Sequence, residues 1–181
     1  MSLINSQYPL FTSGDFNLYL QKLDYDFTKV LDAVCVNVEK KMLASLLGDV
    51  TYLDYENNPA TYQELIDGYK IPTVEIDHVQ QYELAPYEYL GKKRVFRGVK
   101  DMLAYFTYFY YAQNKYNFNP TTEEKTSDTD RVNVTQNMYD AYYLGYKLYY
   151  DAYYYIKYKQ SLGEYSDWEF SDIELANNLG I

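Results

Sequence analysis

Cysteine, histidine and tryptophan each occur once in this 181-residue chain. A lone Cys35 in an apolar stretch forms no internal disulfide and reads as a small buried hydrophobe. With His78 as its only companion it falls short of a metal site of the usual nitrogen and sulfur kind. His78 lies in a strand-like stretch between Asp77 and Val79 and reads as an ordinary surface or interface histidine. Cations are scarce as well: 16 Lys and Arg stand against 26 Asp and Glu, for a formal charge of -10 and a pI near 4.5. That balance argues against coating nucleic acid through its phosphates, though not against a wall that DNA slides past. No run is long and apolar enough to cross a bilayer, and Met1 to Phe11 has neither a basic start nor a sustained apolar stretch. The expectation is a soluble, unprocessed chain kept in a reducing compartment, with no membrane contact. A glycine-rich phosphate loop, Gly-x-Ser-x-Gly and His-Glu-x-x-His are all missing, so no cofactor, metal or catalytic residue is assigned.

Tyrosine fills the space these absences leave. Ten of the twenty residues from Tyr139 to Tyr158 are tyrosine. Tyr139, Tyr142, Tyr146, Tyr149, Tyr153 and Ile156 follow a three-four spacing down one helix face, with Tyr143, Tyr146, Tyr150, Tyr154 and Tyr158 beside them. A helix apolar on most sides must be covered on most sides. Tyrosine suits a wet interface because its ring buries area while its hydroxyl keeps a polar partner. Some of these rings belong to an ordinary core, but housing two dozen phenols inside one chain demands a partner for nearly every hydroxyl. Stacking on single-stranded nucleic acid is the other use of such rings, and it comes with a basic groove that this helix lacks. Subunit contact is therefore assigned to Tyr139, Tyr142, Tyr146, Tyr149 and Tyr153, together with Tyr105 and Tyr108 from the preceding helix.

The order along the chain follows from periodicity and punctuation. Residues 1 to 24 read as a partly extended arm ending in a short helix. A helix follows from about Asp26 to Leu47, its stripe Val34, Val38, Met42 and Leu46 leaving Glu39, Lys40 and Lys41 off it, and Gly48 as the stop. After a polar turn over Asp54 to Pro59, Thr61 can cap a short helix carrying Leu65 and Ile66 to Gly68. Thr73 to Asp77 alternates like a strand. Tyr87 to Phe96 then reads as a small exposed hairpin with Gly91-Lys92 in a type II′ turn, which sets Tyr87 opposite Phe96 and Tyr89 opposite Arg94. A helix from Val99 to about Gln113 precedes a polar loop over Asn114 to Thr126, in which Glu123 and Glu124 are candidates for channel or partner contacts. Ser127-Asp-Thr-Asp130 opens the last helix, about 130 to 161, roughly 48 Å long at ~1.5 Å per residue. Asp128 to Asn133 has the outline of a calcium loop without its central glycine or distal glutamate, so capping accounts for it better. Paired carboxylates such as Asp24 and Asp26 lack a pocket sequence and read as solvated charge. Gly163 ends the helix, and the aromatic residues of the tail, Trp168 and Phe170 among acids, read as partner-docking anchors. The fold expected is mainly α: a single helical domain over 1–162 with a β-hairpin insertion about 71–97, followed by a docking tail over 163–181.

A helix ending in Leu-Leu-Gly48, a short helix with Tyr62-Gln-Glu-Leu65, the hairpin Tyr87-Glu-Tyr-Leu-Gly-Lys-Lys-Arg-Val-Phe-Arg-Gly98, the helix from Val99, a polar loop and a tyrosine-rich helix occur here in that order. This resembles the head-tail connector, or adaptor, proteins of tailed bacteriophages, particularly the neck ring proteins of crAss-like phages, over roughly residues 25 to 160. The resemblance implies a structural virion protein at the head-tail junction, assembled in the host cytoplasm into a ring of typically twelve copies. Such a ring binds the portal and other neck or tail proteins and continues the channel through which DNA leaves without specific binding. The stretch from Ile71 to Pro86 and the tail after Gly163 exceed the family pattern. A soluble interaction or regulatory protein using its aromatic helix face is the alternative, and a small carboxylate-dependent hydrolase is a third reading.

Overall fold

The computed structural model describes residues 27–76, 79–117 and 128–170, with side chains over 34–76, 79–113 and 138–170. The element order is α1 (Phe27–Asn57), a 3-10 turn (Pro59–Tyr62), α2 (Gln63–Asp67), β1 (Lys70–Ile76), β2 (Val79–Leu84), β3 (Pro86–Tyr89), β4 (Lys92–Val95), α3 (Lys100–Asn117) and α4 (Asp128–Ser161). The strands form two separate two-stranded antiparallel sheets, β1 with β2 and β3 with β4. The architecture is thus mixed α/β, which corrects the expectation of a mainly α bundle with one hairpin. Strand β2 was not anticipated, because every residue of β1 and β2 is exposed. Alternation identifies a strand only where one face is buried.

The core forms where α3 and α4 pack together and α1 closes over α3. Val38, Met42, Leu43, Leu46 and Leu47 of α1 meet Met102, Leu103, Phe106 and Phe109 of α3, and Tyr142, Tyr149, Tyr155 and Ile156 come from α4. The α1 stripe runs as its spacing predicts, and Cys35 is buried beside it. Glu39, assigned to the polar side, is instead only 1% exposed. Gly48 breaks the helical dihedrals at φ 70°, ψ 164° inside what is otherwise a continuous α1. A Cβ there would lie 2.5 Å from the Glu169 carbonyl oxygen, so glycine serves both the bend and the passage of the C-terminal segment. The helix resumes to Asn57, where a polar turn was expected. Pro59 rather than a Thr61 cap opens the following turn, and no side-chain cap bond forms on α2.

A tight backbone crossing supports the two hairpins. Tyr69 N–H donates to the Phe96 carbonyl at 3.1 Å, and Ala85 N–H donates to the Tyr69 carbonyl at 2.9 Å. Beside it Gly98, at φ 92°, passes so close to Ile66 that a Cβ would stand 2.2 Å from the Ile66 carbonyl oxygen. The β3–β4 turn is one residue earlier than expected. Leu90 and Gly91 both have positive φ, 51° and 70°, the signature of a type I′ turn. The register is therefore Tyr87 opposite Arg94 and Tyr89 opposite Lys92, not Phe96 and Arg94. Phe96 is thereby released from the ladder to enter the core. Helix α3 runs to Asn117, into the segment expected to be loop. Helix α4 ends as its sequence indicates: Glu164 N–H reaches the Lys159 carbonyl and Gly163 N–H the Gln160 carbonyl, a Schellman closure.

Candidate assembly surfaces

The assigned tyrosines divide by position on α4. Tyr149 is fully buried, and Tyr142 packs edge-on to Phe106 and tilted on Phe109, with centroids 5.6 and 4.7 Å away. Both are intrachain core. Tyr139, Tyr146 and Tyr153 of α4 and Tyr105 and Tyr108 of α3 are half-buried. Tyr146 meets Tyr150 hydroxyl to hydroxyl at 3.3 Å. Tyr153 packs on Phe170 and Trp168 at 4.4 and 5.7 Å. The two anchors of the C-terminal segment are therefore in contact with their own chain. Trp168 is buried, donates its indole N–H to the Leu46 carbonyl at 2.7 Å, and lies under the Lys157 ammonium. Phe170 is half-buried against Tyr149, Tyr150 and Tyr153. Glu123, Glu124, His78 and the N-terminal arm lie outside the described residues, as does the tail beyond Phe170.

The residue that organises this side of the molecule belongs to neither tyrosine row. Tyr155 is fully buried and stacks on Phe96 at 4.3 Å and 15°. Tyr87 meets it edge-on at 5.5 Å. Its hydroxyl donates to Glu64 at 2.6 Å, where Lys159 also binds at 2.7 Å. Burial, then the hydrogen bond and charge of Glu64, push the Tyr155 phenol far above its ordinary range. On Glu64 itself burial acts upward, but the bonds from Lys159 and Tyr155 outweigh it and hold the carboxyl below its ordinary value. A second phenol–carboxylate pair joins Tyr62 to Asp54 at 2.7 Å. Those hydroxyls find carboxylates inside the same chain, as buried polar groups require. The only sequence signal for Tyr155 was a tyrosine standing off both rows.

Surface apolarity is concentrated elsewhere. Ile71, Val74, Ile76, Val79, Tyr82 and Leu84 are all exposed on the β1–β2 arm. Leu90, at the β3–β4 turn, is 79% exposed, the highest value among the large hydrophobic side chains described. Around the bend of α1 and the C-terminal segment there are two open cavities of about 340 and 940 Å³, sharing Val50 and the segment Ser166–Asp167. Among the described residues no group of His, Cys, Asp and Glu is placed to hold a metal ion. No described helix is long and apolar enough to cross a membrane. No family model, no curated protein and no solved structure matches this chain.

Proposed function

We propose that this protein is a structural assembly subunit that forms a ring, on the order of twelve copies, between the portal and the tail of a bacteriophage. The observation that carries the assembly reading is the β1–β2 arm, in which every residue of both strands is exposed and six large apolar side chains stand in solvent. An isolated two-stranded hairpin is marginal in water. In the register of the arm, Ile71, Ile76 and Val79 share one face and Tyr82 and Leu84 the other, so each face leaves apolar side chains for a partner to cover. The ring and its place in the neck come from the resemblance in element order. The chain's net charge of -10 suits a channel wall that repels phosphate and lets DNA pass. Both readings that assign no catalysis share the arm, and mass in solution separates them. Sedimentation velocity and electron-microscopic class averages of the purified chain, alone and mixed with a portal protein, are expected to give a closed ring. A monomer under both conditions would refute the ring and leave a soluble interaction protein.

A further inference from the structure

The turn at the end of the β3–β4 hairpin combines a strained backbone, selected by the burial of Phe96, with an apolar side chain and two ammonium groups in solvent. A type I′ turn favours asparagine, aspartate or glycine at its first position. Here that position is Leu90 at φ 51°, a conformation that a non-glycine residue adopts only against strain. The side chain so held is 79% exposed. Beside it Lys92 and Lys93 are exposed as well, whereas the neighbouring Arg94 is occupied by Asp151 at 4.0 Å and the Tyr154 ring at 3.8 Å. A strained backbone that displays an apolar side chain next to exposed ammonium groups, Lys93 standing opposite Glu88, is the form of an interface anchor with a charged rim.

The complementary shape occurs on the same chain. The cavity of about 340 Å³ at the bend of α1 is lined by Val50, Tyr62 and Tyr165 and otherwise by polar side chains, Asp54, Glu164 and Asp167 among them. Val50 is 65% exposed. Asp54 stays ionised, because hydrogen bonds from Tyr62 and Asn58 hold its carboxyl below the ordinary value. No residue of the Leu90 turn lines this cavity. The hairpin stands against the Asp151, Tyr154 and Tyr158 side of α4, whereas the C-terminal segment that walls the cavity stands against Tyr153 and Lys157. Turn and cavity are thus separate surfaces, linked at the hairpin base through Tyr87, Tyr155, Glu64, Lys159 and Glu164.

We infer that the Leu90 turn of one copy inserts into the Val50–Tyr62–Tyr165 cavity of the next, with Lys92 and Lys93 facing Asp54 and Asp167, Glu164 being held by Lys159 of its own chain at 3.1 Å. This deepens the ring reading and rests on self-assembly. Two different patches of one chain that fit each other make a heterologous contact, which closes into a ring when the rotation per subunit divides the circle. The occupant is a second copy because charge and side-chain type correspond: one leucine for the Val50 and tyrosine part of a cavity otherwise lined by polar side chains, and two ammonium groups for Asp54 and Asp167.

The test uses the full chain. Leu90→Gly relieves the strained φ and removes the anchor, so the fold should be as stable or more stable while the concentration for half-assembly rises about thirtyfold or more. A variant with Lys92→Glu and Lys93→Glu should weaken assembly by roughly tenfold, and adding Asp167→Lys should restore part of it. Oxidation of a chain carrying both Leu90→Cys and Val50→Cys should give a ladder of cross-linked oligomers, with buried Cys35 silent. Leu90→Cys alone should give none, and a dimer from it would mean turn-to-turn pairing and overturn the inference. Unchanged assembly in Leu90→Gly with no ladder would likewise overturn it, while the ring reading would stand. A wild-type chain that stays monomeric and uncross-linked at every concentration reached would end both.

Discussion

Replacing Tyr155 separates two contributions that meet in one side chain. Tyr155→Phe keeps the ring on Phe96 and Tyr87 and deletes only the bond to Glu64. A hydrogen bond to a charged group contributes about 1.5–3 kcal/mol. The Glu64 side chain is 45% exposed and keeps Lys159 at 2.7 Å, so a solvent-screened value of about 1 kcal/mol is expected. Tyr155→Ala also removes a fully buried ring that touches both the hairpin strand and the crossing at Phe96. Truncation of a large buried aromatic costs about 3–5 kcal/mol, and for a chain of this size that lowers the melting midpoint by roughly 10 °C. The comparison is Tyr143→Ala, 68% exposed on the same helix, which should stay within about 0.5 kcal/mol. Urea unfolding followed by far-ultraviolet circular dichroism, at a concentration where the chain is monomeric, gives all three values free of assembly linkage. If Tyr155→Ala cost less than Tyr143→Ala, Tyr155 would not be the residue that joins hairpin to helix, and the packing scheme would fail.

Trp168 is the only tryptophan and is buried in the single chain, so its fluorescence should already be blue of free tryptophan in the monomer and move little on assembly. Gly98→Ala places a Cβ against the Ile66 carbonyl at positive φ and should cost more than about 3 kcal/mol, whereas Gly91→Ala meets nothing and should cost about 1 kcal/mol in thermal melts. Glu64 and Asp67 are held below their ordinary values, burial acting upward and the lysine bonds prevailing. Their stabilisation is therefore complete only above the ordinary carboxylate range, about pH 5 and higher, and is lost as the pH falls through the folded pKa. Burial pushes the Asp151 carboxyl up against the pull of Arg94, so its contribution has the opposite sign, and an acid titration of Glu64→Gln should be flatter than that of the parent. Shortening the arm by replacing residues 71–84 with a two-residue turn should leave the helical circular dichroism intact and lower assembly, and a loss of helix would show that the arm supports the fold.

Helix α4 was legible because its apolar spacing, its acidic start and Gly163 all agree on one element, and α1 because its stripe ends at Gly48. The β1–β2 arm was half-legible: with both faces in solvent, the pattern of a buried face that normally reveals a strand is missing over Val79–Leu84. The register of β3–β4 was misplaced by the assumption that Gly91 takes the first turn position. Leucine at φ 51° is against local preference, and only the demand of Phe96 for the core selects it. Glu39 was misread because a charged residue beside Lys40 and Lys41 resembles a solvated face, although the helix turns it inward. Trp168 read as an anchor for a partner, and its indole bond to Leu46, 122 positions away, has no local signature.

The distribution of side-chain types gives the molecule a division of labour. Phenol hydroxyls that end on carboxylates join neighbouring elements in Tyr62 on Asp54 and elements distant in sequence in Tyr155 on Glu64, leaving no polar cost at those atoms. Tyr142, Tyr149 and Tyr155, all within the tyrosine-rich helix, thus serve internal construction. What the fold leaves unexplained is aliphatic: Ile71, Val74, Ile76 and Val79 on the arm and Leu90 on the turn. Both hairpins rise from the Gly68–Gly98 crossing, where backbone lies against backbone and neither glycine has room for a Cβ. A stem so constrained presents the exposed leucine and the arm in one fixed relation. Docking then costs less conformational entropy than it would from a flexible loop, and the rigid aromatic base becomes the means by which a few aliphatic contacts can hold copies together.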